Sequence, residues 1–89
     1  MPYANEHACR LREPGDFAAG SFRSMERRHE AKRYRVIVGK LKGKSGRADP
    51  MVEQTYRYPA DVWTEAEALA HCRAHNGHLF EPATGGGGE

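Results

Sequence analysis

Two cysteines and the histidines near them are the first residues whose types and spacing could do chemistry. His7 and Cys9 lie two residues apart in a stretch that predicts a strand, so both side chains point to one face. Cys72 and His75 lie three apart in a predicted helix, and His71 and His75 lie four apart, so each pair can converge. A strand pair facing a helix pair gives the Cys2His2 ligand set of tetrahedral zinc sites.

The simpler interpretation of these residues needs no metal. No Cys-x-x-Cys spacing anchors a zinc site, and two cysteines are too few for a disulfide framework. We therefore expect Cys9 and Cys72 to be small core residues with reduced thiols, and the histidines to be exposed. A Cys72–His75 nucleophile lacks an orienting group and an oxyanion site. We predict no enzyme and no cofactor, and keep zinc at His7, Cys9, Cys72 and His75 as the alternative.

A basic segment is the second candidate site. Residues 23–47 hold ten of the 14 Lys and Arg residues, whereas residues 48–89 are mainly acidic. This asymmetry steers anionic partners to one side of the molecule, and arginine binds phosphates and carboxylates bidentately. The alternative is a solvated polar face. The predicted partner-binding residues are Arg23, Arg27, Arg28, Lys32, Arg33, Arg35, Lys42, Lys44 and Arg47; Lys40 is the tenth cation of the segment.

Two further surfaces qualify this prediction. Tyrosines near the basic segment could stack on bases, which would favour a nucleic-acid binder; they are Tyr34, Tyr56 and Tyr58. Acidic residues of the C-terminal half could instead dock onto a basic partner; they are Asp61, Glu65, Glu67 and Glu81. Favourable interaction of Glu65 and Glu67 with a helix N-terminus already accounts for those two residues.

Strands must position the basic segment. Alternating apolar residues predict strands at 6–12, 33–41 and 51–58, and a short one at 78–81. Residues 22–28 fit either a strand, paired through a turn at 29–32, or a helical turn. The predicted buried faces are Tyr34, Val36 and Val38 on one strand, and Val52, Gln54, Tyr56 and Tyr58 on the other.

One helix must position Cys72 and the histidines beside it. Thr64 and Glu67 form a capping box at its start, and Trp63 precedes the cap as a predicted buried residue that packs on Ala68 or Leu69. A left-handed cap at Asn76-Gly77 ends it. Residues at helical spacing along it are Ala66, Leu69, Ala70 and Arg73.

These elements predict an α+β fold, a small, mostly antiparallel sheet of four or five strands with one helix packed on a face. With 89 residues in total, the chain is expected to form one domain over 1–84, followed by a flexible glycine-rich tail at 85–89. No apolar stretch approaches the length of a membrane span, and the N-terminus has no secretory signal pattern. We therefore expect a cytoplasmic location without membrane contact.

Several strings of the sequence resemble a small domain encoded in tailed-phage and prophage genomes, near or fused to head-assembly proteins such as prohead proteases. The resemblance covers nearly the whole chain before the glycine tail. It implies a phage origin, and with it a location in the host cytoplasm or in a virion, and no particular activity. The strings include Glu6-His7-Ala8-Cys9-Arg10-Leu11, Asp16-Phe17, Ser21-Phe22-Arg23, Val38-Gly39-Lys40-Leu41-Lys42-Gly43, Gln54, Arg57-Tyr58-Pro59, Trp63-Thr64, Glu67-Ala68, His71-Cys72, His75 and Phe80-Glu81-Pro82-Ala83.

Together these observations predict a non-catalytic interaction module that binds another protein, of the phage or of the host. It would act in head assembly or as a stoichiometric inhibitor of a host defence complex. The alternative is a small nucleic-acid binder that uses the basic hairpin at 23–47. No small-molecule substrate is evident in the sequence.

Overall fold

Five strands and one helix follow one another in the predicted order. The computed structural model describes residues 4–43 and 50–84. The predicted glycine-rich tail at 85–89 lies outside these ranges. The elements are β1 (Glu6–Arg10), a 3-10 turn (Pro14–Asp16), β2 (Arg23–His29), β3 (Lys32–Gly39), β4 (Val52–Pro59), α1 (Glu65–Ala74) and β5 (Leu79–Glu81).

The strands form one antiparallel sheet in the order β2-β3-β4-β1-β5. The first strand of the chain therefore lies inside the sheet, because β1 pairs with both β4 and β5. The edges are β2 and β5. This arrangement confirms the predicted α+β class, with an antiparallel sheet and one helix on a face. The described residues contain no helix with the length and apolar character of a membrane span.

The β2–β3 hairpin settles the ambiguity at residues 22–28 in favour of a strand. Its two-residue turn consists of Glu30 and Ala31, with φ angles of 52° and 70°. Positive φ at both central positions defines a type I′ turn, in which Asn-Gly is the favoured sequence. A left-handed conformation costs a side-chain-bearing residue about 1 kcal/mol. Pairing along β2 and β3 must therefore hold this turn against its own residue preferences.

Sheet residues that face α1 carry most of the core, and we call their side of the sheet the helix face. The alternation predicted for β3 is confirmed, because Tyr34, Val36 and Val38 are all buried. On β4, Tyr56 and Tyr58 are also buried, as predicted. The opposite side of the sheet, which we call the open face, is formed by the residues that alternate with these, among them the two arginines of β3 at positions 33 and 35.

The start of α1 matches its prediction in detail. The Thr64 hydroxyl accepts a hydrogen bond from the Glu67 amide, and the Glu67 carboxylate accepts one from the Thr64 amide, which confirms the capping box. Trp63 is 2% exposed, as expected, and its indole N–H donates to the Arg33 carbonyl at 2.8 Å.

The buried surface of α1 differs from the residues picked out by helical spacing. The helix contributes Ala68, His71 and Cys72 to the core, while Leu69 is only half-buried. The other three residues of that set, Ala66, Ala70 and Arg73, are exposed. Large aromatic side chains from the sheet fill the space beneath the helix, so small residues and one imidazole suffice on the helix side.

Candidate functional site

The predicted basic set is divided between the two faces of the sheet. Because side chains alternate along a strand, neighbouring cations of one strand point in opposite directions. Arg27 lies opposite Tyr34 and shares the helix face with it, whereas Arg28 lies opposite Arg33 on the open face. The predicted residues therefore do not form one continuous basic ribbon.

Cations on the helix face are held by groups of this chain. Arg27 forms a short ion pair with Glu53, so it is half-buried rather than solvent-facing, contrary to expectation. Lys32 binds Glu67 at 3.3 Å and lies 5.0 Å from the centroid of the Trp63 ring. Arg23 donates to the carbonyls of Gly20 and Phe22.

Glu53 links this ion pair to the core. The Tyr56 hydroxyl donates to Glu53 at 2.5 Å, on the side opposite the Arg27 contact. Burial by itself raises the pKa of Glu53, but the hydrogen bonds from Tyr56 and Arg27 outweigh it, and the pKa is lowered. The carboxylate therefore stays charged and neutralises Arg27, which removes that arginine from the set available to a partner.

One pair of open-face cations shares a carboxylate. Glu6 accepts from Arg35 at 3.1 Å and from Arg57 at 2.8 Å. These three side chains come from β1, β3 and β4, so the ion pairs cross the centre of the open face. Arg35 is thus partly neutralised within the chain.

Arg28 and Arg33 are the exception, and we call them the arginine pair. They lie directly opposite each other on β2 and β3, and both are exposed. Within residues 4–43 and 50–84, neither guanidinium makes a hydrogen bond or an ion pair. Like charges directly opposite each other on a sheet are destabilising, and a bidentate carboxylate or phosphate would relieve their repulsion. Among the predicted basic residues of β2 and β3, the arginine pair is therefore the part that is open to an anionic partner.

The remaining predicted cations belong to the segment that follows β3. Lys42 is exposed beyond the end of β3. Lys44 and Arg47 lie outside the described residues, as does most of the segment 43–50, whose Gly, Ser and Pro residues predict a loop.

Burial removes the tyrosines from the predicted nucleic-acid surface. Tyr34, Tyr56 and Tyr58 are 6%, 1% and 0% exposed, so none can stack on a base. They surround His71 instead, with ring centroids 5.0 to 5.4 Å from the imidazole. The prediction that these tyrosines lie at a binding surface is therefore wrong. All three occupy the buried positions in the alternating patterns of β3 and β4.

His71 is a buried imidazole within this aromatic cluster. Its Nδ1 lies 2.8 Å from the Tyr58 hydroxyl, and its ring stacks on His75 with centroids 4.2 Å apart. Burial lowers the pKa of His71 to about 4, and Coulombic interaction with His75 and His29 acts in the same direction. His71 is therefore neutral at pH 7, as its position in the core requires. The expectation of exposed histidines is wrong for His71 and also for His7, which is 6% exposed.

Cys9 and Cys72 form a disulfide between β1 and α1. The expectation of reduced thiols is therefore wrong, and neither sulfur is present as a zinc ligand or a nucleophile. His7 also has other contacts, since its Nδ1 accepts from the Ala83 amide at 2.9 Å. Among residues 4–43 and 50–84, no group of three or more His, Cys, Asp or Glu side chains is arranged to hold a metal ion.

Gly77 lies against this disulfide after the end of α1. Asn76 takes the left-handed conformation with φ of 62°, and the Gly77 amide donates to the Cys72 carbonyl at 2.8 Å, which confirms the predicted cap. A Cβ atom on Gly77 would overlap the sulfur atoms of both cysteines. Glycine is therefore required here for close approach to the disulfide rather than for a positive φ.

The proposed acidic surface is only partly available. Glu67 is occupied by the capping box and by Lys32. Asp61 lies in the turn before α1 and, with Glu6 and Glu26, lines a groove beside Arg33 and Arg35 on the open face. Acidic and basic side chains are thus interleaved there rather than separated into two surfaces.

Comparisons with known proteins identify no relative. No protein-family model, curated protein or solved structure matches the chain.

Proposed function

We propose that this chain is a non-catalytic protein-interaction module that binds its partner on the open face, next to the turn of the β2–β3 hairpin. The observation that carries the proposal is the arginine pair. Arg28 and Arg33 lie opposite each other on the neighbouring strands β2 and β3, and no carboxylate of the described residues lies between them. A partner carboxylate placed there would make charge-assisted, bidentate hydrogen bonds and reduce the repulsion between the guanidiniums.

The charge pattern around the arginine pair favours a protein over a nucleic acid. Glu26 lies opposite Arg35 on the open face, and Glu6 lies between Arg35 and Arg57. A phosphate backbone would meet these carboxylates as like charges, whereas a protein surface can present both signs in register. Burial of the tyrosines also removes the stacking platform that single-stranded nucleic acids use.

The resemblance of the sequence to a phage-encoded domain supports a phage setting for this interaction. In that setting the partner is a head-assembly protein or a subunit of a host defence complex. A cytoplasmic or virion location belongs to the same proposal, and of the two the virion fits the Cys9–Cys72 disulfide better, because disulfides are rare in the reducing cytoplasm.

A double charge reversal tests the proposed site. We would use Arg28→Glu with Arg33→Glu, and compare it with the matched control Arg12→Glu with Arg73→Glu, which reverses two exposed arginines outside the hairpin. Each protein would be immobilised and exposed to lysate of phage-infected or lysogenic cells. A protein captured by the parent and the control, and lost with the hairpin variant, supports the proposal. Equal capture by all three proteins contradicts it.

Binding to random duplex DNA tests the alternative function. A phosphate-dominated complex loses affinity steeply and linearly in log salt. Tight DNA binding with that slope, abolished by the hairpin reversal and kept by the control, would replace the protein partner with nucleic acid. Native Trp63 fluorescence in each variant would verify that the fold is intact.

A further inference from the structure

The outer edge of β2 presents unpaired backbone groups at alternate residues. His29 and Lys32 flank the two-residue turn, so the His29 carbonyl accepts from the Lys32 amide as in other β-turns. Antiparallel pairs alternate between hydrogen-bonded and non-hydrogen-bonded. Counting back from the turn, the amides and carbonyls of Ser24, Glu26 and Arg28 point away from β3.

This edge is accessible to another strand, and its charged side chains restrict which strand can pair with it. Six of its seven residues are exposed and only Arg27 is half-buried, and no described strand pairs with its outer side. It contains no proline, and its register with β3 is continuous, without a bulge. Long, regular edges of this kind are templates for strand addition.

Side chains along the edge specify what an added strand should carry. A residue placed opposite Arg28 would lie on the open face, two strand spacings or about 10 Å from Arg33 with Arg28 between them. An acidic side chain there can pair with the Arg28 guanidinium and reduce its repulsion with Arg33. A residue opposite Glu26 should be basic for the same reason. On the helix face, Met25 is 43% exposed and would be covered by an apolar neighbour.

We propose that the outer edge of β2 accepts an extended segment of the partner protein as a sixth strand, with an acidic side chain of that segment beside the arginine pair. The segment alternates charged residues on the open face with apolar residues on the helix face. This inference rests on the proposed function and adds to it the class of partner and the way in which it binds.

A designed peptide tests strand addition directly. The probe is acetyl-Thr-Val-Glu-Val-Lys-Val-Thr-amide, which places Glu opposite Arg28 and Lys opposite Glu26 when it runs antiparallel to β2. Titration into the isotopically labelled protein should shift the backbone amide signals of Ser24, Glu26 and Arg28 and slow their exchange with solvent.

Two methylated peptides of equal mass provide the control. In the first peptide, methyl groups on the backbone amide nitrogens of Glu and Lys block the hydrogen bonds to β2. In the second peptide, methyl groups on the backbone amide nitrogens of the second and third Val lie on the side away from β2. The first peptide should bind at least about tenfold more weakly than the second, since two hydrogen bonds are lost. Equal binding by both, or no binding of the parent peptide at millimolar concentration, would overturn strand addition.

These results are separable from the test of the proposed function. If the hairpin reversal abolishes partner capture while the methylated peptides bind equally, the arginine pair binds a partner without an added strand. If the first methylated peptide binds more weakly than the second while the hairpin reversal leaves partner capture unchanged, the edge accepts strands but the proposed function fails.

Discussion

Acid destabilisation through His71 is the sharpest prediction of this structure. The imidazole is 6% exposed, and its pKa is lowered from 6.5 to about 4. The unfolded chain therefore binds a proton more readily than the folded one, so the free energy of unfolding falls as pH falls from about 6.5 towards 4. Between pH 7 and pH 5 these two pKa values correspond to a loss of about 2 kcal/mol.

Urea unfolding of the oxidised protein at pH 7 and pH 5 measures this loss. Trp63 is the single tryptophan and packs on the cluster around His71, so its fluorescence reports the transition. His71→Gln should be less stable at both pH values, because it disturbs the contact with Tyr58, but it should lose most of the difference between them. The control His78→Gln, at an exposed position, should keep that difference. A parent protein equally stable at both pH values, or a His71→Gln protein with the full difference, would refute the reasoning.

Three further predictions concern the disulfide, the helix cap and the hairpin turn. Reduction should lower the free energy of unfolding by at most about 4 kcal/mol, because the disulfide closes a loop with a separation of 63 residues; urea midpoints with and without reductant measure this, and Cys9→Ala with Cys72→Ala should be insensitive to reductant. Thr64→Ala should cost about 1 kcal/mol through loss of the cap, whereas the exposed Ala66→Ser should cost less; equal midpoints for parent and Thr64→Ala would contradict the role of the capping box. Ala31→Gly should stabilise the hairpin by up to about 1 kcal/mol, since glycine tolerates the positive φ; a lower thermal midpoint than the parent would show that the turn is not under this strain.

The parts of the fold that were predictable depend on local patterns. The period of two in β3 identified Tyr34 and its neighbours as core, and the Thr64–Glu67 spacing fixed the start of α1. The hairpin turn carried no such signal, because Glu30 and Ala31 are not residues that favour positive φ. Its conformation is imposed by strand pairing, which sequence spacing does not reveal.

The sequence predicts which basic residues belong to the candidate site, but not which of them are neutralised within the chain. Strand alternation, readable in the sequence, already separates Arg27 from Arg28 and explains why the basic set is divided. The anions that neutralise part of it are distant along the chain, since Glu53 lies on β4 and Glu6 on β1. For the same reason, the pairing of Cys9 with Cys72 could not be inferred from two cysteines far apart in sequence.

The position of β1 inside the sheet has a consequence for the order in which the domain folds. Strands β2, β3 and β4 are neighbours in both sequence and space, so they can pair through local contacts as soon as they leave the ribosome. β1 precedes the other four strands in the sequence, but one of its neighbours is β4 and the other is β5, the last of the five. During synthesis, the thiol of Cys9 therefore stays unpaired until Cys72 has been added to the chain. We expect the three-strand meander to form early, and the docking of β1, the closure of the sheet and the oxidation of the cysteines to be the slow, late steps.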